Sequence, residues 1–210
     1  RDSAAHAAGS EYNGQKIGAL SDISCFSFYA TKNMTTGEGG MATSDNEELI
    51  DRIKVLSMYG ISDARKIWQR YAPRGSWWYD VAELGYKYNM MDIQAALGLH
   101  QLCKLDSFNE RRERFAHMYN EAFSGVTEVD TPTVRRNARH VWHLYPILLR
   151  PELLTIDRDA FVEALQLENI GSSVLYIPLH LHSYYRDRFG YKPGDFPNAL
   201  HIYCLLYTSP

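Results

Sequence analysis

The run Phe26-Ser27-Phe28-Tyr29-Ala30-Thr31-Lys32-Asn33-Met34-Thr35-Thr36-Gly37-Glu38-Gly39-Gly40 sets one lysine between an aromatic segment and a group of glycines. Cys25 to Tyr29 has the short apolar character of a buried strand, and Thr31 to Gly40 reads as a polar, glycine-rich turn. Glycines at 37, 39 and 40 let the backbone take tight or left-handed conformations around Lys32, and the hydroxyls of Ser27, Thr31, Thr35 and Thr36 are suited to meet a phosphate. A lysine partly desolvated in such a place has a lowered pKa, which leaves a neutral amine able to form a Schiff base with a carbonyl. The simpler reading is a solvated surface lysine or a plain phosphate contact. A Walker loop is excluded, because here the lysine precedes the glycines.

Downstream, Gly40-Met41-Ala42-Thr43 is a second apolar piece, and Ser44 and Glu47 stand at capping-box spacing. The helix they open is expected to run to about Tyr59, with Leu49, Ile50, Ile53 and Leu56 on one face and Gly60 as its stop. Residues 61 to 84 hold Trp68, Trp77 and Trp78 without helical periodicity, which predicts a long loop packed by its own aromatics. Stacking of Trp77 and Trp78 on a nucleotide base is the alternative role. A helix follows Asn89, with Asp92 near its start and Ile93, Ala96, Leu99 and Leu102 as its buried stripe. Another runs through Phe108, Phe115, Met118 and Phe123 to Ser124-Gly125.

Beyond that point His140 to Leu149 and Ser172 to Ile177 read as strands flanking a helix from Asp157 to Glu168, ended by Gly171. The order suggests a smaller α+β unit after Gly125. The chain has 210 residues, 45% hydrophobic and 22% charged, with a formal net charge of -3, which is the composition of an ordinary globular protein. No dense basic block points to nucleic acid or to a membrane surface, and no apolar run reaches the length that spans a bilayer. Three scattered cysteines, Cys25, Cys103 and Cys204, predict a reducing, cytoplasmic setting. Arg1 to Ala7 reads like the middle of a domain, so upstream chain is expected.

Several stretches together resemble the DegT/DnrJ/StrS sugar aminotransferases. They are His6-Ala7-Ala8-Gly9, Tyr12-Asn13-Gly14, Phe26-Ser27-Phe28 into Lys32 and Gly37-Glu38-Gly39-Gly40, then Gly85-Tyr86-Lys87-Tyr88-Asn89-Met90, Asp92-Ile93-Gln94-Ala95-Ala96 and Pro178-Leu179-His180-Leu181-His182. The likeness extends to about Asn198, after which the run Tyr203 to Pro210 departs from the expected continuation. It implies an α/β, type I pyridoxal-phosphate transferase fold, with a partial large domain over residues 1–124 and a small α+β domain over 125–210. The implied reaction moves an amino group from an amino acid, glutamate by preference, to a keto group of a nucleotide-linked sugar through pyridoxal phosphate on Lys32.

The resemblance also implies roles for single residues. Ser27 matches the phosphate-binding serine, and Asn89 matches a residue that reaches the phosphate of a neighbouring subunit, which makes the expected assembly a homodimer with a shared site. The other role open to Asn89 is helix entry beside Asp92. His6 falls where the family places a ring over the cofactor; a hydrogen-bonded core histidine is the alternative. A carboxylate that bonds the pyridine nitrogen is normally three residues before that position, where this sequence has Ser3, so Asp2 is the nearest partner. His180 and His182, on a segment read as a strand, are expected to contact the sugar or its phosphate, and no metal set is completed around them or around His140 and His143. Related dehydratases carry histidine in place of the anchoring lysine, so Lys32 argues for amino transfer over dehydration. A sugar-nucleotide-binding module without a reactive amine is the remaining alternative.

Overall fold

The computed structural model describes residues 2–62, 79–174 and 176–209. Trp68, Trp77 and Trp78, expected to pack a long loop, lie outside the described residues. Contacts group the chain into two units: residues 1–110 with 136–141, and residues 111–135 with 142–210. That differs from a cut at 124/125, because a helix and a strand segment are shared out between the units.

The strands in chain order are β1 (Asp2–Ser3), β2 (Glu11–Tyr12), β3 (Gln15–Lys16), β4 (Ser24–Ser27), β5 (Gly40–Thr43), β6 (Ile61–Ser62), β7 (Asp80–Val81), β8 (Val129–Asp130), β9 (Ala138–Arg139), β10 (Tyr145–Leu149) and β11 (Leu206–Ser209). The helices are α1 (Glu47–Ser57), α2 (Asp92–Leu102), α3 (Leu105–Phe123), α4 (Arg158–Leu167), α5 (Ser183–Phe189) and α6 (Pro197–Leu205).

In the first unit β4 is the centre of a sheet ordered β1-β4-β5, parallel to β1 and antiparallel to β5. Beside it, β2 and β3 form a hairpin through Asn13-Gly14, both with positive φ (51° and 77°), the pairing of residues that a tight two-residue turn requires. β9 pairs with β2 from far along the chain. Helix α1 is capped by Asn46, whose side-chain oxygen accepts from the Glu48 and Leu49 amides, and not by Ser44 as its spacing suggested. The Ser44 hydroxyl is used elsewhere: it donates to the Asp22 carbonyl and accepts from the Asn46 amide. The helix stops where expected, with Gly60 at φ 69° returning its N–H to the Val55 carbonyl.

Two expected strands are corrected. The segment from His140 to Leu149 is interrupted at Trp142, held at φ 48°, so that Ala138–Arg139 and Tyr145–Leu149 are separate strands in different units. The described residues of 172–177 form none of the strands. In the second unit β10 pairs antiparallel with both β8 and β11, and α4 is capped by Asp157, which accepts from the Ala160 amide.

Candidate functional site

Lys32 lies on a turn that is fastened along its whole length. At its base the Phe28 amide donates to the Gly39 carbonyl and the Thr36 amide to the Phe28 carbonyl, each across 2.9 Å. Thr35 Oγ1 donates to the Phe28 carbonyl and accepts from the Gly37 amide, and Thr36 Oγ1 donates to the Glu38 carbonyl. The hydroxyls of Thr35 and Thr36 therefore hold the turn, and their protons are spent on it. Gly39, at φ 149°, has no room for a side chain, since a Cβ would run into Thr36 Oγ1.

Below the turn, Phe28, Met34 and Leu105 form a buried cluster, with Ala8, Phe26 and Met90 packed against it. From the side, α2 presents Gln94, Gly98 and Gln101, one face at steps of four and three residues. Gln94 Nε2 donates to the Glu38 carbonyl at 2.8 Å, the Thr35 amide donates to Gln101 Oε1 at 3.4 Å, and Gly98 leaves space for the Thr36 methyl. The apolar stripe expected to be buried faces outward: Ile93 is 82% exposed, Leu99 68% and Leu102 56%. The physical reason is that the turn offers carbonyls and an amide, and only a polar face can satisfy them.

Lys32 itself is half-buried, its amide bonded to the Tyr29 carbonyl. Its charge is felt at His6: partial burial, and then the Lys32 ammonium, hold the imidazole below its ordinary value. These two residues, 26 positions apart in sequence, are thus electrostatic neighbours. The Ser27 side-chain oxygen accepts from the Tyr29 amide at 3.3 Å and keeps its hydroxyl proton for another acceptor. Asn89 makes one long bond, Nδ2 to the Met90 carbonyl at 3.4 Å, while its buried Oδ1 has no partner among the described residues. It does not cap α2; Met91 takes that position, with its amide bonded to Gln94 Oε1.

Asp2 and Ser3 pair with Ser24 and Cys25 respectively. Because side chains alternate along a strand, this register puts Ser3 on the side of Cys25 and Ser27 and sends Asp2 to the side of Ser24. In the second unit, His180 and His182 are not on a strand: His180 is inside a single helical turn, Leu179–Leu181, and His182 follows it. His180 is buried, bonded through Nε2 to the Pro193 carbonyl and packed on the Phe196 ring, whereas His182 is exposed. Their rings therefore share no face.

Two residues that sequence reasoning passed over stand out here. Asn33, next to Lys32, and Asn109, on α3, are both buried, and their side chains are 2.8 Å apart in a hydrogen bond. Asn109 recurs four residues after Leu105 on the buried side of the helix, so helical spacing would have found the position though not its partner.

The DegT/DnrJ/EryC1/StrS aminotransferase family matches residues 2–207. The chain belongs to that family. It is 50% identical over 210 residues to the spore coat polysaccharide biosynthesis protein SpsC of Bacillus subtilis, covering 100% of this chain and 54% of SpsC. A UDP-4-amino-4,6-dideoxy-N-acetyl-beta-L-altrosamine transaminase of Campylobacter jejuni is 40% identical over 189 residues, covering 90% of this chain and 47% of the relative. Among solved structures, Spr1654 of Streptococcus pneumoniae, assigned as a sugar aminotransferase, superposes in its PMP form with a TM-score of 0.86 at 33% identity, covering 99% of this chain and 52% of that one. The same protein in its PLP form gives 0.85. The family fold is thus that of the sugar aminotransferases, and the chain spans about half the length of the relatives it matches. No helix among the described residues is long and apolar enough to cross a membrane.

Proposed function

We propose that this chain carries the lysine and part of the cofactor site of a cytoplasmic pyridoxal-phosphate-dependent aminotransferase that acts on a nucleotide-linked keto sugar, with glutamate as donor. The observation that carries the reading is Lys32: half-buried on a turn tied at both ends, and close enough to His6 for its charge to depress that imidazole. The residues around it suit the cofactor. Ser27 has a hydroxyl proton to give to a phosphate, and the weakly bonded amide of Asn89 has hydrogen-bonding capacity left over. The ring-nitrogen carboxylate is the component that the β1 register does not supply, since Asp2 falls on the Ser24 side.

Bound there, pyridoxal phosphate supplies an aldehyde and an electron-withdrawing ring. Lys32 Nζ holds the aldehyde carbon covalently and, once released, takes a proton from one carbon and returns it to its neighbour. His6 covers a ring face. Ser27 Oγ donates to the phosphate, and Asn89 Nδ2 does so for the partner subunit of a homodimer. The outward apolar face of α2 favours such a dimer, because Ile93, Leu99 and Leu102 are large apolar groups left uncovered. His182, exposed in the second unit, is the group available to a sugar or its phosphate, and His180 supports the segment from within.

The reading is tested by incubating the chain with pyridoxal phosphate, glutamate and a UDP-linked 4-keto sugar and measuring 2-oxoglutarate. Formation that depends on the sugar and is abolished by Lys32→Ala supports it. Tight sugar-nucleotide binding with no transfer would favour the binding module.

A further inference from the structure

Asn109 is 0% exposed in the middle of a helix, where an apolar residue would pack without polar groups to satisfy. Its hydrogen bonds fix its orientation. The Val141 carbonyl can only accept, so Asn33 turns its Nδ2 toward it at 2.9 Å; the same nitrogen then donates to Asn109 Oδ1 at 2.8 Å. That leaves Asn109 Nδ2 to donate to the Ala8 carbonyl at 3.0 Å. Turning either amide over would set oxygen against oxygen, so the chain has one polarity. Gly9 fits the scheme: it sits at φ 91°, and a Cβ there would collide with Asn109 Nδ2.

The positions tied together are the important point. Asn33 is the residue after Lys32, and Ala8 is two residues after His6, within successive turns closed by Ala7 to Ala4 and Ser10 to Ala7 hydrogen bonds. Buried apolar contacts also join the two segments, through Ala8 against the Phe28, Met34 and Leu105 cluster, but such packing is non-directional. The asparagine pair adds direction.

We infer that Asn109 is a positioning residue, holding the Lys32 turn and the His6 segment in fixed register so that amine and imidazole face one ligand. This rests on the proposed cofactor site for its purpose, though not for its geometry. Asn109→Asp keeps the oxygen facing Asn33 and replaces the donor facing Ala8 with an acceptor, so it severs the His6 arm selectively. Asn109→Ser shortens both arms.

Two readouts on wild type and variants separate the outcomes. The first is the NMR titration of His6 without cofactor: its midpoint is expected to rise toward 6.5 in both variants as Lys32 and His6 lose register. The second is the rate at which borohydride fixes pyridoxal phosphate to Lys32, expected to fall about tenfold to a hundredfold when the amine is misplaced by about an ångström. A role confined to stability lowers the melting temperature and leaves both readouts unchanged in the folded variants, which overturns the inference. If wild type takes no label, the cofactor reading fails while the His6 midpoint still decides the geometric claim. Should neither variant fold, exchange of the Asn109 side-chain amide protons in wild type decides: slowing on addition of pyridoxal phosphate supports the inference, and no change overturns it.

Discussion

Gln94 reaches from α2 to the Glu38 carbonyl across 2.8 Å, so the helix grips the lysine-bearing turn through a polar side chain and not through its apolar stripe. Gln94→Leu removes that donor and leaves the carbonyl without this partner. The expected loss is about 1 kcal/mol of stability, and backbone amides of residues 36 to 39 should exchange faster than those of α1. Hydrogen exchange with peptide resolution checks it.

The face that α2 leaves uncovered has a separate consequence. If Ile93 and Leu102 meet a second copy, the double substitution Ile93→Glu with Leu102→Glu shifts the protein to monomer. Both residues are exposed within one chain, so the monomer's own fold should be little affected. Sedimentation velocity with a parallel denaturation curve measures both.

Gly9 and Gly14 share positive φ but not surroundings. A Cβ at Gly9 collides with Asn109 Nδ2, while one at Gly14 meets nothing within 4 Å. Gly14→Ala should cost about 1 kcal/mol for the backbone alone, and Gly9→Ala about 2 kcal/mol or more as the asparagine is displaced. Urea denaturation of the two variants side by side gives the difference.

His6 titrates below 6.5 because of partial burial first and the Lys32 charge second. Lys32→Met should therefore raise its midpoint only part of the way back. Since the folded-state value is depressed, the unfolded chain binds more protons just below 6.5. The His6 contribution thus favours the fold above 6.5 and is lost as pH falls through that value toward the folded midpoint. Proton NMR of the imidazole in wild type and Lys32→Met checks the direction.

What could be read from the chain beforehand was mainly local. The aromatic run, the lysine and the glycines are adjacent in sequence, so their strand and turn were visible, as were the Asp157 cap and the Gly60 stop. Long-range polar partners were not. Periodicity showed that Ile93, Leu99 and Leu102 share a helix face, but it carries no information on what covers that face; the carbonyl of Glu38, 56 residues away from Gln94, decided which side turned inward. The strand expected from His140 failed at the backbone of Trp142, which residue type does not reveal. His180 and His182 lost their common face because Pro178 begins a helical turn there and not a strand. Ser27, His6 and Asn89 were recognised from likeness to a family, and the structure adds hydrogen-bonding capacity at Ser27 and Asn89 and the coupling of His6 to Lys32.

The most direct measurement is reduction of the chain with borohydride in the presence of pyridoxal phosphate, followed by peptide mass spectrometry. The account predicts one pyridoxyl group, on Lys32, absent from Lys32→Arg and lowered by free inorganic phosphate. Label spread over exposed lysines such as Lys16, Lys54 and Lys87, with none preferred at Lys32, would contradict it.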